Sequence, residues 1–164
     1  MIKRQLGNTD IQCSSIGFGG APMGDLFDRL REEDCYETLK ESHQKGLNLF
    51  DTSPLYGYGL SEHRLGNYLK SVNRADFYIS TKVGRYLTPE KPQNIERGIF
   101  KGGLNFAPNL DYSYDGAMRS FEQYLIRLGL SEIDICLIHD VDSFNHGDMV
   151  EHYFNIAMNG AYRA

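Results

Sequence analysis

Tryptophan is absent from the 164-residue sequence, and cysteine occurs only three times. Cys13, Cys35 and Cys136 are odd in number and far apart, so they offer neither a disulfide frame nor a zinc site and read as reduced core thiols. Positive charge is also short: 17 Lys+Arg against 22 Asp+Glu give −5, and no basic patch suited to phosphate neutralisation is visible, which excludes nucleic acid as a partner. No apolar stretch approaches the ~18 residues of a membrane helix, which excludes a membrane role of that kind. Residues 1–5 turn polar at once and lack a signal peptide's apolar core. Low-complexity tracts, charge blocks and internal repeats are missing. What remains is an ordered cytoplasmic protein with one domain, residues 1–164, of ordinary globular composition.

What is present is an alternation of short apolar runs and longer amphipathic stretches. Residues 2–6 and 11–13, around Gly7-Asn8-Thr9-Asp10, predict a small N-terminal hairpin. Residues 15–19 predict a short first strand. Residues 32–46 predict a helix with Cys35 and Leu39 on one face, acidic residues in the first turn and Gly46 as its stop. Residues 47–50 form a buried strand leading into Asp51, and Ser61 is placed to cap a helix running through Lys70. Residues 77–81 make a third strand, ending at Lys82. A helix from Ser113 or Asp115 to Leu128, closed by Gly129, precedes a fourth strand at 133–138 that ends at His139, and a last helix runs from near Asp148 to about Gly160. Strands alternating with helices require crossover connections and hence a parallel sheet, either doubly wound or the front portion of a (β/α)8 barrel.

Three of these strands end on an ionisable residue: Asp51, Lys82 and His139. In parallel α/β folds all strand C-termini lie at one face, where sites are built. The loop Asp51-Thr52-Ser53-Pro54-Leu55-Tyr56-Gly57 adds a tyrosine that can fold back over that face. A free phenol titrates near 10, too high for acid/base work at neutrality; an adjacent ammonium lowers that value and a carboxylate orients the ammonium. Tyr56 tuned by Lys82 and Asp51, with His139 directing a substrate oxygen, suits carbonyl–alcohol interconversion. No side chain supplies hydride, so a nicotinamide cofactor is implied.

These residues carry a family resemblance. Asp51 to Gly57, Ser80-Thr81-Lys82, Leu137-Ile138-His139-Asp140 and Ile16-Gly17-Phe18-Gly19-Gly20 resemble the aldo-keto reductase superfamily, most closely its aldose 1-dehydrogenase branch, which includes D-threo-aldose (L-fucose) and pyridoxal dehydrogenases. The resemblance implies the first half of a TIM (β/α)8 barrel, about four βα units behind an N-terminal hairpin. It implies a catalytic tetrad of Tyr56, Asp51, Lys82 and His139, with Gly20, Ala21 and Asp51 beside an NAD(P) cofactor. The substrate would be a small aldose- or pyridoxal-like carbonyl or alcohol. The family barrel has four further units, which supply most contacts to the cofactor's adenosine and phosphates.

Other readings stand beside this one. A half-barrel leaves strand edges uncovered, so self-association through them, or a non-catalytic fragment serving as a binding or regulatory module, is the alternative. Lys82 suits a Schiff base, although Asp51 nearby argues for a charged amine. His139, Asp140, Asp142 and His146 contain metal-ligating types without a metal spacing. Pro22 stands where a dinucleotide fingerprint needs its third glycine. Residues 83–112, rich in glycine, proline and aromatics, are too irregular for an ordinary connection and suggest a substrate lid with aromatic walls.

Overall fold

A computed structural model describes all residues, 1–164. The chain opens with an antiparallel hairpin of β1 (Lys3–Gln5) and β2 (Gln12–Ser14), as the Gly/Asn turn predicts. It continues through β3 (Phe18–Gly19), α1 (Glu32–Gln44), β4 (Leu49–Asp51), α2 (Leu60–Leu69) and β5 (Tyr78–Val83). A second hairpin follows, β6 (Arg85–Pro89) with β7 (Phe106–Leu110), then α3 (Tyr114–Leu128), β8 (Ile135–Ile138), the single turn α4 (Ser143–His146) and α5 (Val150–Asn159). Strands β3-β4-β5-β8 form one parallel sheet in that order. These are the four expected βα units.

Period-two alternation sorts the strand side chains. Phe50, Ile79 and Val83 point to the helices and join Leu39, Leu65, Leu69, Tyr124 and Leu128 in the buried core. Asp51, Ser80 and Lys82 therefore share the opposite face, where they bond to one another. Helix α2 meets α3 so closely that a Cβ on Gly66 would collide with the Leu128 backbone. A fully buried carboxylate, Glu62, joins these two helices to the sheet: it is ion-paired with Arg127 and accepts a hydrogen bond from Thr81 Oγ1 at 3.2 Å. Burial pushes the Glu62 carboxyl up, and Arg127 opposes the shift.

Several expectations are corrected. Ser61 is not a cap: α2 begins at Leu60 behind Gly59, whose φ of +95° suits glycine, and the Ser61 hydroxyl lies 2.7 Å from the Gly20 carbonyl, to which it donates, and 2.8 Å from Thr52 Oγ1. For α3 the cap is Ser113, whose Oγ accepts from the Gly116 amide, and Gly129 closes the helix in the left-handed region. The first strand shrinks to Phe18–Gly19 and the last helix starts at Val150. Cys136 is exposed on the outer edge of β8, whereas Cys13 and Cys35 are buried. Residues 83–112 are no loose loop. They hold the second hairpin, and the Gln123 side chain bonds both the amide and the carbonyl of Leu87, tying the hairpin to α3. No helix is long and apolar enough to cross a membrane.

Candidate active site

The parallel sheet delivers its strand ends to one face. Asp51 ends β4, Lys82 lies next to the end of β5, and His139 follows β8 with its amide bonded to the Val83 carbonyl. Lys82 Nζ is 2.7 Å from Asp51 Oδ2 and 2.8 Å from the Thr52 carbonyl, and Ser80 Oγ donates to Asp51 Oδ1 at 2.9 Å. Both carboxylate oxygens are thus committed, and the ammonium is fixed. This ion pair opposes the Schiff-base reading of Lys82.

Tyr56 reaches the same face from its loop. The Lys82 nitrogen sits 4.9 Å from the centroid of the Tyr56 ring, and the His139 ring meets Tyr56 edge-on at 6.0 Å. No hydrogen bond joins the Tyr56 hydroxyl to Lys82 or His139; what gathers the four residues is ring packing and the Asp51–Lys82 pair. The loop is pinned by backbone contact: a Cβ on Gly24 or on Gly57, the latter at φ +62°, would strike the opposing main chain. Phe100, from the connection between β6 and β7, packs on Tyr56 with centroids 6.2 Å apart. That connection is anchored through Leu104 N to the Gly57 carbonyl and Lys101 N to the Asp25 carbonyl. Phe100 thereby forms an aromatic wall on one side of Tyr56. Tyr86 instead stacks under Arg119, 4.2 Å from the ring centroid.

His139 is buried, at 7% exposure, with Nδ1 3.1 Å from Ser53 Oγ and Nε2 3.4 Å from Asp140 Oδ1. Burial pushes it down to about 4; the Arg85 and Lys82 charges act in the same sense, and Asp140 and Asp51 oppose it. The imidazole is therefore neutral at physiological pH and carries one N–H. Tyr112, fully buried, donates to the His139 carbonyl at 2.6 Å and so fixes the backbone that carries the ring. Arg85 pairs with Asp140 at 3.1 Å.

Sequence reasoning missed Ser53, Ser80, Arg85, Tyr112 and Asp140 as members of this assembly. Asp140 alone carried a signal, as a carboxylate directly after the strand-end histidine. The metal reading of His139, Asp140, Asp142 and His146 is not met: no group of three or more His, Cys, Asp or Glu is arranged to hold an ion. Gly20 lies against Asp51, with its amide bonded to the Asp51 carbonyl at 2.7 Å, and leaves no room for a side chain. Gly19, paired with Asp51 in register, is exposed, with nothing within 4 Å of where a Cβ would stand.

Comparison with known proteins bears on this arrangement. The sequence profile of the Aldo/keto reductase family matches residues 15–158. The chain is 39% identical to pyridoxal 4-dehydrogenase of Microbacterium luteolum over 99% of its own length and 50% of that protein. It is 38% identical to L-galactose dehydrogenase of Arabidopsis thaliana over 85% of itself and 38% of that protein. Among solved structures, the holo form of an aldo-keto reductase from Bacillus halodurans superimposes with a TM-score of 0.68 at 28% identity, covering 98% of this chain and 48% of that one. The chain spans about half the length of the relatives it matches.

Proposed function

Because the chain belongs to the aldo/keto reductase family, we propose that its strand-end face serves NAD(P)-dependent interconversion of an aldose- or pyridoxal-like carbonyl and alcohol. The observation that carries this reading is the Asp51–Lys82 ion pair with its ammonium over the Tyr56 ring and the His139 ring against that ring's edge. Tyr56 is the general acid/base: in oxidation it takes the alcohol proton, and in reduction it returns it. The Lys82 ammonium, held by Asp51 and the Thr52 carbonyl, stabilises negative charge on the phenol oxygen while the proton is away. His139 offers its N–H to the substrate oxygen and so fixes the direction of attack.

The residues present fit one side of a flat ring. Gly19 leaves open space at the end of β3, paired in register with Asp51, and Gly20, packed on the Asp51 carbonyl, and Ala21 follow it in the chain. Gly20, Ala21 and Asp51 would hold the nicotinamide, which supplies or receives hydride when bound. Phe100 and Tyr56 give the facing side an aromatic wall suited to a small cyclic substrate.

A second reading is favoured by the open sheet. β3 and β8 each lack a neighbour on the outer side, and Leu137, paired with Lys82, is 45% exposed on the sheet face that carries Lys82. Association through these edges would cover both.

One experiment separates the two readings. Pyridoxal-type and aldose substrates are followed by nicotinamide absorbance with the chain and with Lys82→Met, alongside solution mass. The catalytic reading expects turnover that falls by about 10²-fold or more in the variant. Turnover undiminished by Lys82→Met, or no nicotinamide uptake by the chain, contradicts it, and edge association then stands or falls on the mass.

A further inference from the structure

Each nitrogen of the His139 imidazole has a neighbour with no role in the chemistry above, and Nδ1 alone is hydrogen-bonded. Ser53 is fully buried, and its Oγ lies 3.1 Å from His139 Nδ1 and 3.2 Å from the Leu55 amide nitrogen. The amide can only donate, so it occupies a lone pair on the serine oxygen. The serine proton then needs an acceptor, and a buried hydroxyl without one costs about 1–3 kcal/mol. Its acceptor is Nδ1, the one other partner within hydrogen-bond distance. A ring nitrogen that accepts a hydrogen bond carries no proton of its own.

The other side of the ring points to the same protonation pattern independently. Nε2 faces Asp140 Oδ1 at 3.4 Å, and Asp140 Oδ2 is held by Arg85 at 3.1 Å. A carboxylate at that position attracts an N–H and repels a lone pair. Tyr112 fixes the main chain behind the ring through the His139 carbonyl, and the ring itself is buried with Tyr56 packed at its edge. The charged groups around it are Asp140, Arg85, Lys82 and Asp51, with the Tyr56 ring at its edge. Burial among them keeps the ring neutral at physiological pH.

We propose that Ser53 is a positioning residue that locks His139 in the neutral Nε2–H tautomer, a protonation pattern that the Asp140 carboxylate near Nε2 also favours. This rests on the catalytic reading only for its use: Nε2–H is the donor presented to the substrate oxygen. In the opposite tautomer a lone pair would face that oxygen and repel it. A serine buried in the loop thus sets which way the histidine acts.

Two-bond ¹H–¹⁵N correlation spectra of the chain at neutral pH test this without turnover, because the Nε2–H, Nδ1–H and imidazolium forms give distinct patterns. The His139 signals are assigned by their loss in His139→Gln. The expected pattern is Nε2–H, moving toward a tautomer mixture in Ser53→Ala and returning in Ser53→Thr. An Nδ1–H, imidazolium or averaged pattern in the unaltered chain overturns the proposal, as does an unchanged pattern in Ser53→Ala. Should Ser53→Ala fail to fold, a cross-peak between a slowly exchanging Ser53 hydroxyl proton and the His139 ring decides: its presence supports the proposal and its absence refutes it. With an active chain, Ser53→Ala lowers kcat roughly tenfold with the nicotinamide KM unchanged, the size of one lost hydrogen bond. An inactive chain with the Nε2–H pattern sinks the catalytic reading alone, and an active chain with the Nδ1–H pattern sinks the tautomer alone.

Discussion

Acid should weaken this fold through His139. An ordinary histidine titrates near 6.5, and burial, with help from the Arg85 and Lys82 charges, pushes this one down to about 4. Between those values the unfolded chain binds a proton that the folded chain refuses. Stability is therefore complete above about pH 6.5 and is lost as pH falls toward 4. At about 1.4 kcal/mol per pH unit, the interval from 6.5 to about 4 corresponds to about 3 kcal/mol. Other groups also titrate here: burial lowers His63, with the same sign. The measurement is accordingly a difference. Urea unfolding of the chain and of His139→Gln is compared at pH 7 and pH 4, and the advantage of the histidine form is expected to shrink by about 3 kcal/mol. A difference independent of pH would refute the burial argument and, with it, the neutral imidazole.

Other outcomes follow from packing. Glu62→Ala leaves Arg127 charged and nearly buried, so a loss of about 3–5 kcal/mol in chemical denaturation is expected. Replacing both partners by apolar residues of similar volume should recover much of that loss, and a single variant as stable as the parent contradicts the pairing. Gly66→Ala places a methyl against the Leu128 main chain and should lower stability by about 1–3 kcal/mol. A thermal midpoint unchanged in that variant would show that α2 and α3 do not meet as described.

How much of this was legible in the sequence depends on the kind of signal. Asp51, Lys82 and His139 were readable because each closes an apolar run, and parallel topology carries such ends to one face. Tyr56 was readable through the Pro54 and Gly57 turn. Ser53 and Ser80 were not, because a lone serine in a loop or strand has no period, and its partner lies across the sheet. Arg85 and Asp140 pair only after the fold sets the start of β6 beside the end of β8. The hairpin of β6 and β7 was masked by its composition. Pro108 inside Phe106–Leu110 lacks an amide proton and reads as loop, yet this two-stranded hairpin tolerates it opposite Leu87, whose own polar groups are met by Gln123. Ser61 was misread as a cap because the sequence does not reveal that Gly20 and Thr52 compete for its hydroxyl.

Tyr56→Phe tests the central claim most directly. It removes one oxygen while leaving the ring packed between Phe100, the Lys82 ammonium and His139. With nicotinamide and a pyridoxal- or aldose-type substrate at saturation, hydride transfer in a single turnover is expected to fall by at least about 10²-fold, with the unfolding midpoint little changed. Equal transfer rates in the two proteins would contradict the assignment of Tyr56 as the acid/base.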